Sequence, residues 1–139
     1  LGVNIPATVN GNTRPTTAGA IFKTSGQALG APNFAARIPE TIAPTASGMT
    51  KQFDILLQAA PEIITAMPNA ARCKLAGQPT QMFDAQGLCT MNGIACLQGY
   101  AATDAQKALC DQVAQQGSTP AFGQTLAVAT ILAAAHTCE

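Results

Sequence analysis

The stretch "TDAQKALCDQVAQQGSTPAFGQTLAVATILAAAHT", residues 103 to 137, decides the fold. Its first four residues, Thr103-Asp104-Ala105-Gln106, match a capping box. In that arrangement the Thr hydroxyl and the Gln amide satisfy each other's orphan backbone N–H groups and start a helix. The helix should run to about Gln116 and stop at Gly117, with Ala102, Ala105, Leu109 and Val113 as its apolar stripe and Lys107, Asp111 and Gln115 outside. Thr119-Pro120 then opens a second helix that continues to about Thr137. Ala121, Phe122, Leu126, Val128, Ile131 and Leu132 project from it in nearly every direction, and a helix apolar all round is a buried one. This last helix is expected to form the centre of the core.

Working toward the N-terminus, the helical pattern extends back to Ser47. Ser47 or Thr50 can cap a helix bearing Met49, Phe53, Leu56, Leu57 and Ala60 on one face. Pro61 is expected to interrupt it, with "PEIITAM" restarting and "PNAARCKLAG" forming a further helix closed by Gly77. A helical turn is expected over 80–86. Asn92-Gly93 reads as a tight bend.

Residues 1–46 differ in kind. Pro6, Pro15, Pro32, Pro39 and Pro44 punctuate a Gly- and Thr-rich stretch without sustained periodicity. Ile5, Val9, Ile21, Phe22, Leu29, Phe34, Ile38 and Ile42 recur along it at intervals, as anchors would if this arm docked on partner chains. The expected architecture is therefore all-α: a small disulfide-stapled helical bundle over 47–139, preceded by a long irregular N-terminal arm over 1–46.

The cysteines Cys73, Cys89, Cys96, Cys110 and Cys138 all fall in the second half. No C-x-x-C occurs, so neither a thioredoxin-type motif nor a zinc knuckle is spelled out. Clustered cysteines in a short chain beginning at Leu1 suggest a processed protein in an oxidising, extracytoplasmic compartment. If the two C-terminal helices reverse near Ser118, Cys138 comes level with residue 98. The expected pairing is then Cys96–Cys138, or failing that Cys89–Cys138. A second bridge joins two among Cys73, Cys89 and Cys110.

Composition narrows the function classes. Only 10% of residues are charged, and seven basic and seven acidic side chains cancel. An ordinary globular domain carries roughly 25%. The basic residues are scattered, so no field or stacking platform favours nucleic acid. The longest apolar run is about ten residues, half of the roughly 20 a membrane-spanning helix needs. Peripheral association with a membrane remains compatible with this.

Catalytic constellations are sparse. A nucleophile needs an adjacent base. His136 is the sole histidine, and its position near a helix C-terminus already suits a cation. Met67, Met82 and Met91 lack the repeated spacing of a soft-metal site and read as core filler. The sequence is therefore read as a non-enzymatic structural or accessory subunit of an extracytoplasmic assembly, without catalytic, cofactor or metal residues. That assembly could be a membrane complex with a lumenal or periplasmic face, or an extracellular filament. The alternatives are a carrier of a small apolar ligand (lipid, pigment or haem) and, more remotely, a small secreted enzyme using His136.

Overall fold

The computed structural model describes residues 18–40, 43 and 45–137. Among these the regular structure is helical: α1 (Ala18–Thr24), α2 (Ala46–Ala66), α3 (Met91–Gln98), α4 (Asp104–Gln115) and α5 (Pro120–Thr137), with 3-10 turns at Met67–Asn69 and Ala71–Cys73. The all-α, disulfide-stapled architecture expected of this chain is the one it adopts. The described residues group into two compact units, 18–59 and 60–137, divided within α2 beside Pro61.

In unit 60–137 the C-terminal hairpin is built as its local signals require. Thr103 caps α4 with both halves of the capping box in place. The Thr119 hydroxyl accepts from the Phe122 amide at 3.2 Å to open α5. Helices α4 and α5 form the most extensive helix pair of the molecule. Their approach is backbone to backbone: a Cβ added at Gly123 would collide with the Ala114 carbonyl, and one at Gly117 with the Gly123 backbone. Glycine at these two positions lets the backbones meet without an intervening side chain. Helix α5 buries Gly123, Ala127, Val128, Ala129, Ile131 and Leu132. It is the central element of this core from Gly123 onward, but Ala121 and Phe122, expected to be buried with the rest, are exposed in its first turn.

The inward face of α4 is rotated from the expected stripe. Cys110 and Ala114 are buried, while Ala105 and Leu109 are exposed. The physical reason is nonlocal: Cys110 is held by a disulfide and Ala114 meets Gly123, so these two fix the face presented to the core. Asp111, expected on the solvated side, is consequently half-buried. Its Oδ1 accepts from the Cys89 amide at 2.7 Å and its Oδ2 pairs with the Lys107 ammonium at 2.6 Å.

The connection from α2 to α3 departs most from expectation. Pro61 lies inside a continuous α2, exposed to solvent on the side away from the buried Ala59, Ala60 and Ile63. A proline in a helix forfeits one hydrogen bond and crowds the carbonyl four residues back. Here burial of the flanking turns outweighs that cost. Residues 68–77 form no α-helix; 3-10 turns at Met67–Asn69 and Ala71–Cys73 take the place of the expected one. After the two 3-10 turns, Leu75 and Gln78 exchange both backbone hydrogen bonds around Ala76-Gly77. Both central residues have positive φ (49° and 80°), the signature of a type I′ turn.

Residues 80–86 are likewise non-helical. The Asp84 carboxylate accepts from the Gln86 and Leu88 amides, both at 2.9 Å, and folds this segment into a turn. Asn92-Gly93 makes no bend, because Thr90 caps α3 there by accepting from the Gly93 amide. Glycine is required at 93 for a different reason. A Cβ would stand 2.7 Å from the Met82 Cα and 2.9 Å from the Gln81 carbonyl oxygen.

Two disulfides close the unit, Cys73–Cys96 and Cys89–Cys110, with Cα–Cα distances of 5.3 and 6.1 Å. Both distances lie within the usual disulfide range. The Cys96–Cys138 pairing is thus corrected, since Cys96 bonds to Cys73. The hairpin register on which it rested does hold at Ala114 and Gly123. Helix α4, however, begins only at Asp104, and the chain before it turns away through Gly99 (φ 84°) into a separate helix. Extrapolating the register to residue 98 therefore fails. Cys138 lies outside the described residues.

Unit 18–59 contains α1 and the first two-thirds of α2. Helix α1 is a regular element within a stretch that composition alone read as irregular. Between α1 and α2 the described residues form turns and irregular chain, including a hydrogen-bonded loop at 33–38.

Candidate functional site

Within unit 18–59 the loop at 33–38 is a designed-looking display of apolar side chains. Asn33 and Ile38 exchange backbone hydrogen bonds at 2.9 and 3.0 Å, and the Asn33 side chain accepts from the Ala36 amide at 3.1 Å. Arg37 closes the turn in the left-handed region, at φ 55°. A non-glycine residue there costs some backbone strain, which the paired Asn33 and Ile38 offset. The result is that Phe34 stands 86% exposed, with Ile38 also exposed beside it.

Phe22 on α1 and Met49 at the start of α2 are exposed as well. Scattered single apolar residues on a surface are ordinary. An aromatic held outward by its own hydrogen-bonded loop is less so, because the fold spends ordered backbone to expose it. Of the anchors expected in the arm, Phe22, Phe34 and Ile38 are presented to solvent, whereas Ile21 and Leu29 are half-buried. Ile5, Val9 and Ile42 lie outside the described residues. The same unit holds an open cleft of about 300 Å³ between the Gln27–Gly30 turn and the first turn of α2.

Unit 60–137 offers a second cleft, of about 580 Å³, with the Cys73–Cys96 disulfide in its wall and Arg72, Lys74, Asn92 and Tyr100 around it. A neighbouring groove shares Leu75, Thr80 and Asn92 and continues past Phe83 and Asp84. Both are open at the surface. The interior beneath is filled by Met67, Met82, Ile94, Val128 and Ile131, all essentially inaccessible. Met67 and Met82 thus serve as core residues. Met91 is half-buried at the start of α3.

Among the described residues no three His, Cys, Asp or Glu side chains converge on a common point. His136 belongs to the last turn of α5, and its side chain falls outside the described residues. No helix among the described residues is long and apolar enough to cross a membrane. The exposure of Phe34 was not readable from periodicity, since it depends on a six-residue loop closing on itself. The Asn at 33, whose side chain favours such turns, was the available signal. No protein-family model matches the chain, and no curated protein or solved structure matches it either.

Proposed function

We propose that the protein is a non-enzymatic binding subunit of an extracytoplasmic assembly, docking on a partner chain through the 18–59 unit. The observation that carries this reading is Phe34, 86% exposed at the tip of a loop closed by the Asn33–Ile38 backbone pair and by the Asn33 side chain. Aromatic residues, Phe among them, and arginine are enriched at protein interfaces relative to the rest of the surface. Phe34, Arg37 and Ile38 supply that combination within five residues. The two disulfides are compatible with an oxidising compartment, which supports placing the assembly outside the cytoplasm. The filled core argues for a binding surface over an internal ligand carrier.

The test is site-specific crosslinking. A photoreactive phenylalanine analogue placed at position 34 should give one discrete adduct in the native extract. The same probe at Gln112, an exposed position on α4, serves as the control. Adding Ile38→Ser should abolish the position-34 adduct. Identical diffuse labelling from positions 34 and 112 would dismiss the reading.

A further inference from the structure

The two disulfides share one unit but sit in opposite chemical surroundings. Cys89 and Cys110 are each 1% exposed. The Asp111 carboxylate stands against this bridge, accepting from the Cys89 amide. Cys73 and Cys96 line the open cleft, and Cys96 is only half-buried. Arg72 and Lys74 flank Cys73 in the chain and line that same cleft. Neither cation is engaged in an ion pair among the described residues, and none of the residues lining the cleft is acidic.

Thiol–disulfide exchange proceeds by attack of a thiolate on a disulfide sulfur, and its rate depends on access and on the stability of the departing thiolate. Nearby cations lower a cysteine's pKa and so improve it as a leaving group. They also raise the local concentration of an anionic attacker. All three factors favour the Cys73–Cys96 bridge, and the first two disfavour Cys89–Cys110.

We infer that Cys73–Cys96 is a covalent exchange site for small anionic thiols, with Cys96 as the sulfur attacked. The incoming thiolate forms a bond to Cys96 Sγ as the Cys73–Cys96 bond breaks. The electron pair departs on Cys73 Sγ, a thiolate whose chain neighbours Arg72 and Lys74 line the same cleft, and which then takes a proton from solvent. A second thiolate attacks the small-molecule sulfur of the mixed disulfide and releases Cys96. Two thiols are thereby oxidised to one disulfide while the protein bridge is reduced to two thiols. Opening frees the Ala71–Cys73 turn from its covalent tie to α3, leaving the buried bridge in place.

The experiment uses the full chain, with any thiol free at the outset blocked by N-ethylmaleimide. Mercaptoethanesulfonate, 2-mercaptoethanol and cysteamine supply anionic, neutral and cationic attackers at matched thiolate concentration. Newly freed cysteines are alkylated and located by peptide mass spectrometry. Cys73 and Cys96 should label while Cys89 and Cys110 stay paired, with rates falling from the anionic to the cationic thiol. Each protein cation should contribute roughly threefold to the difference between a charged and a neutral thiol at low salt. In the R72Q/K74Q variant the dependence on thiol charge should collapse. Opening of Cys89–Cys110 first or in step with Cys73–Cys96 would overturn the inference. So would a charge dependence that persists unchanged in the variant.

Discussion

The units on either side of Pro61 are stabilised by different means. In 60–137 the buried apolar residues run from Ala60 to Leu132 and two disulfides tie the loops to the helices. In 18–59 the only fully buried apolar side chains among the described residues are Ala18 and Ala59. Phe22, Phe34, Ile38 and Met49 face solvent, while Ile21, Leu29, Phe53, Ile55, Leu56 and Leu57 are half-buried. Full burial is thus scarce in this unit, set against an ordering entropy of about 1–2 kcal/mol per residue. The contrast teaches that one part of the chain carries its stability within itself. The other leaves four large apolar side chains exposed.

The sharpest way to break this contrast is to remove the sulfur from the first part. Replacing both Cys89 and Cys110 with alanine should cost at least about 3 kcal/mol, from the chain entropy of a loop this long. Thermal unfolding followed by circular dichroism would register it, and an unchanged midpoint would show that the bridge adds nothing to the core. Gly123→Ala comes next. Its methyl would push into the Ala114 carbonyl, and forcing α4 from α5 should cost about 2 kcal/mol, read as a lowered denaturant midpoint.

A smaller loss, about 1 kcal/mol, is expected from Thr103→Ala, which deletes the cap of α4. Amide exchange should then quicken in the first turn of α4 and not in α5. Phe34→Ser should alter stability least, within about 0.5 kcal/mol, because its side chain is exposed. A large destabilisation by that variant would mean that Phe34 belongs to a core, and the contrast between the two units would fail.

What the sequence disclosed follows the same divide between local and distant causes. The capping box at Thr103 and the burial of most of α5 are properties of contiguous residues, so both were legible, although the first turn of α5 exposes Ala121 and Phe122. The face of α4 was not, because Cys89 and Gly123 select it from elsewhere in the chain. Asn92-Gly93 carried a turn signal that Thr90 overrode by capping, while Met82 supplied the steric need for glycine. Pro61 signalled a break that burial on the opposite side of α2 cancelled. Of the candidate docking residues, Phe34 and Ile38 were identified by type and spacing. Their presentation depends on Arg37 accepting a positive φ, which no periodicity announces.

The order in which the chain leaves the ribosome gives the position of α5 one last consequence. Cys73, Cys89, Cys96 and Cys110 all emerge before the helix around which their unit is packed. Four cysteines admit three pairings, and none can be tested against the packed core before α5, which follows all four in the chain. Maturation therefore calls for early sulfur bonds to remain open to reshuffling until residues 120–137 have arrived, so an isomerase at the site of synthesis should set the yield of native protein.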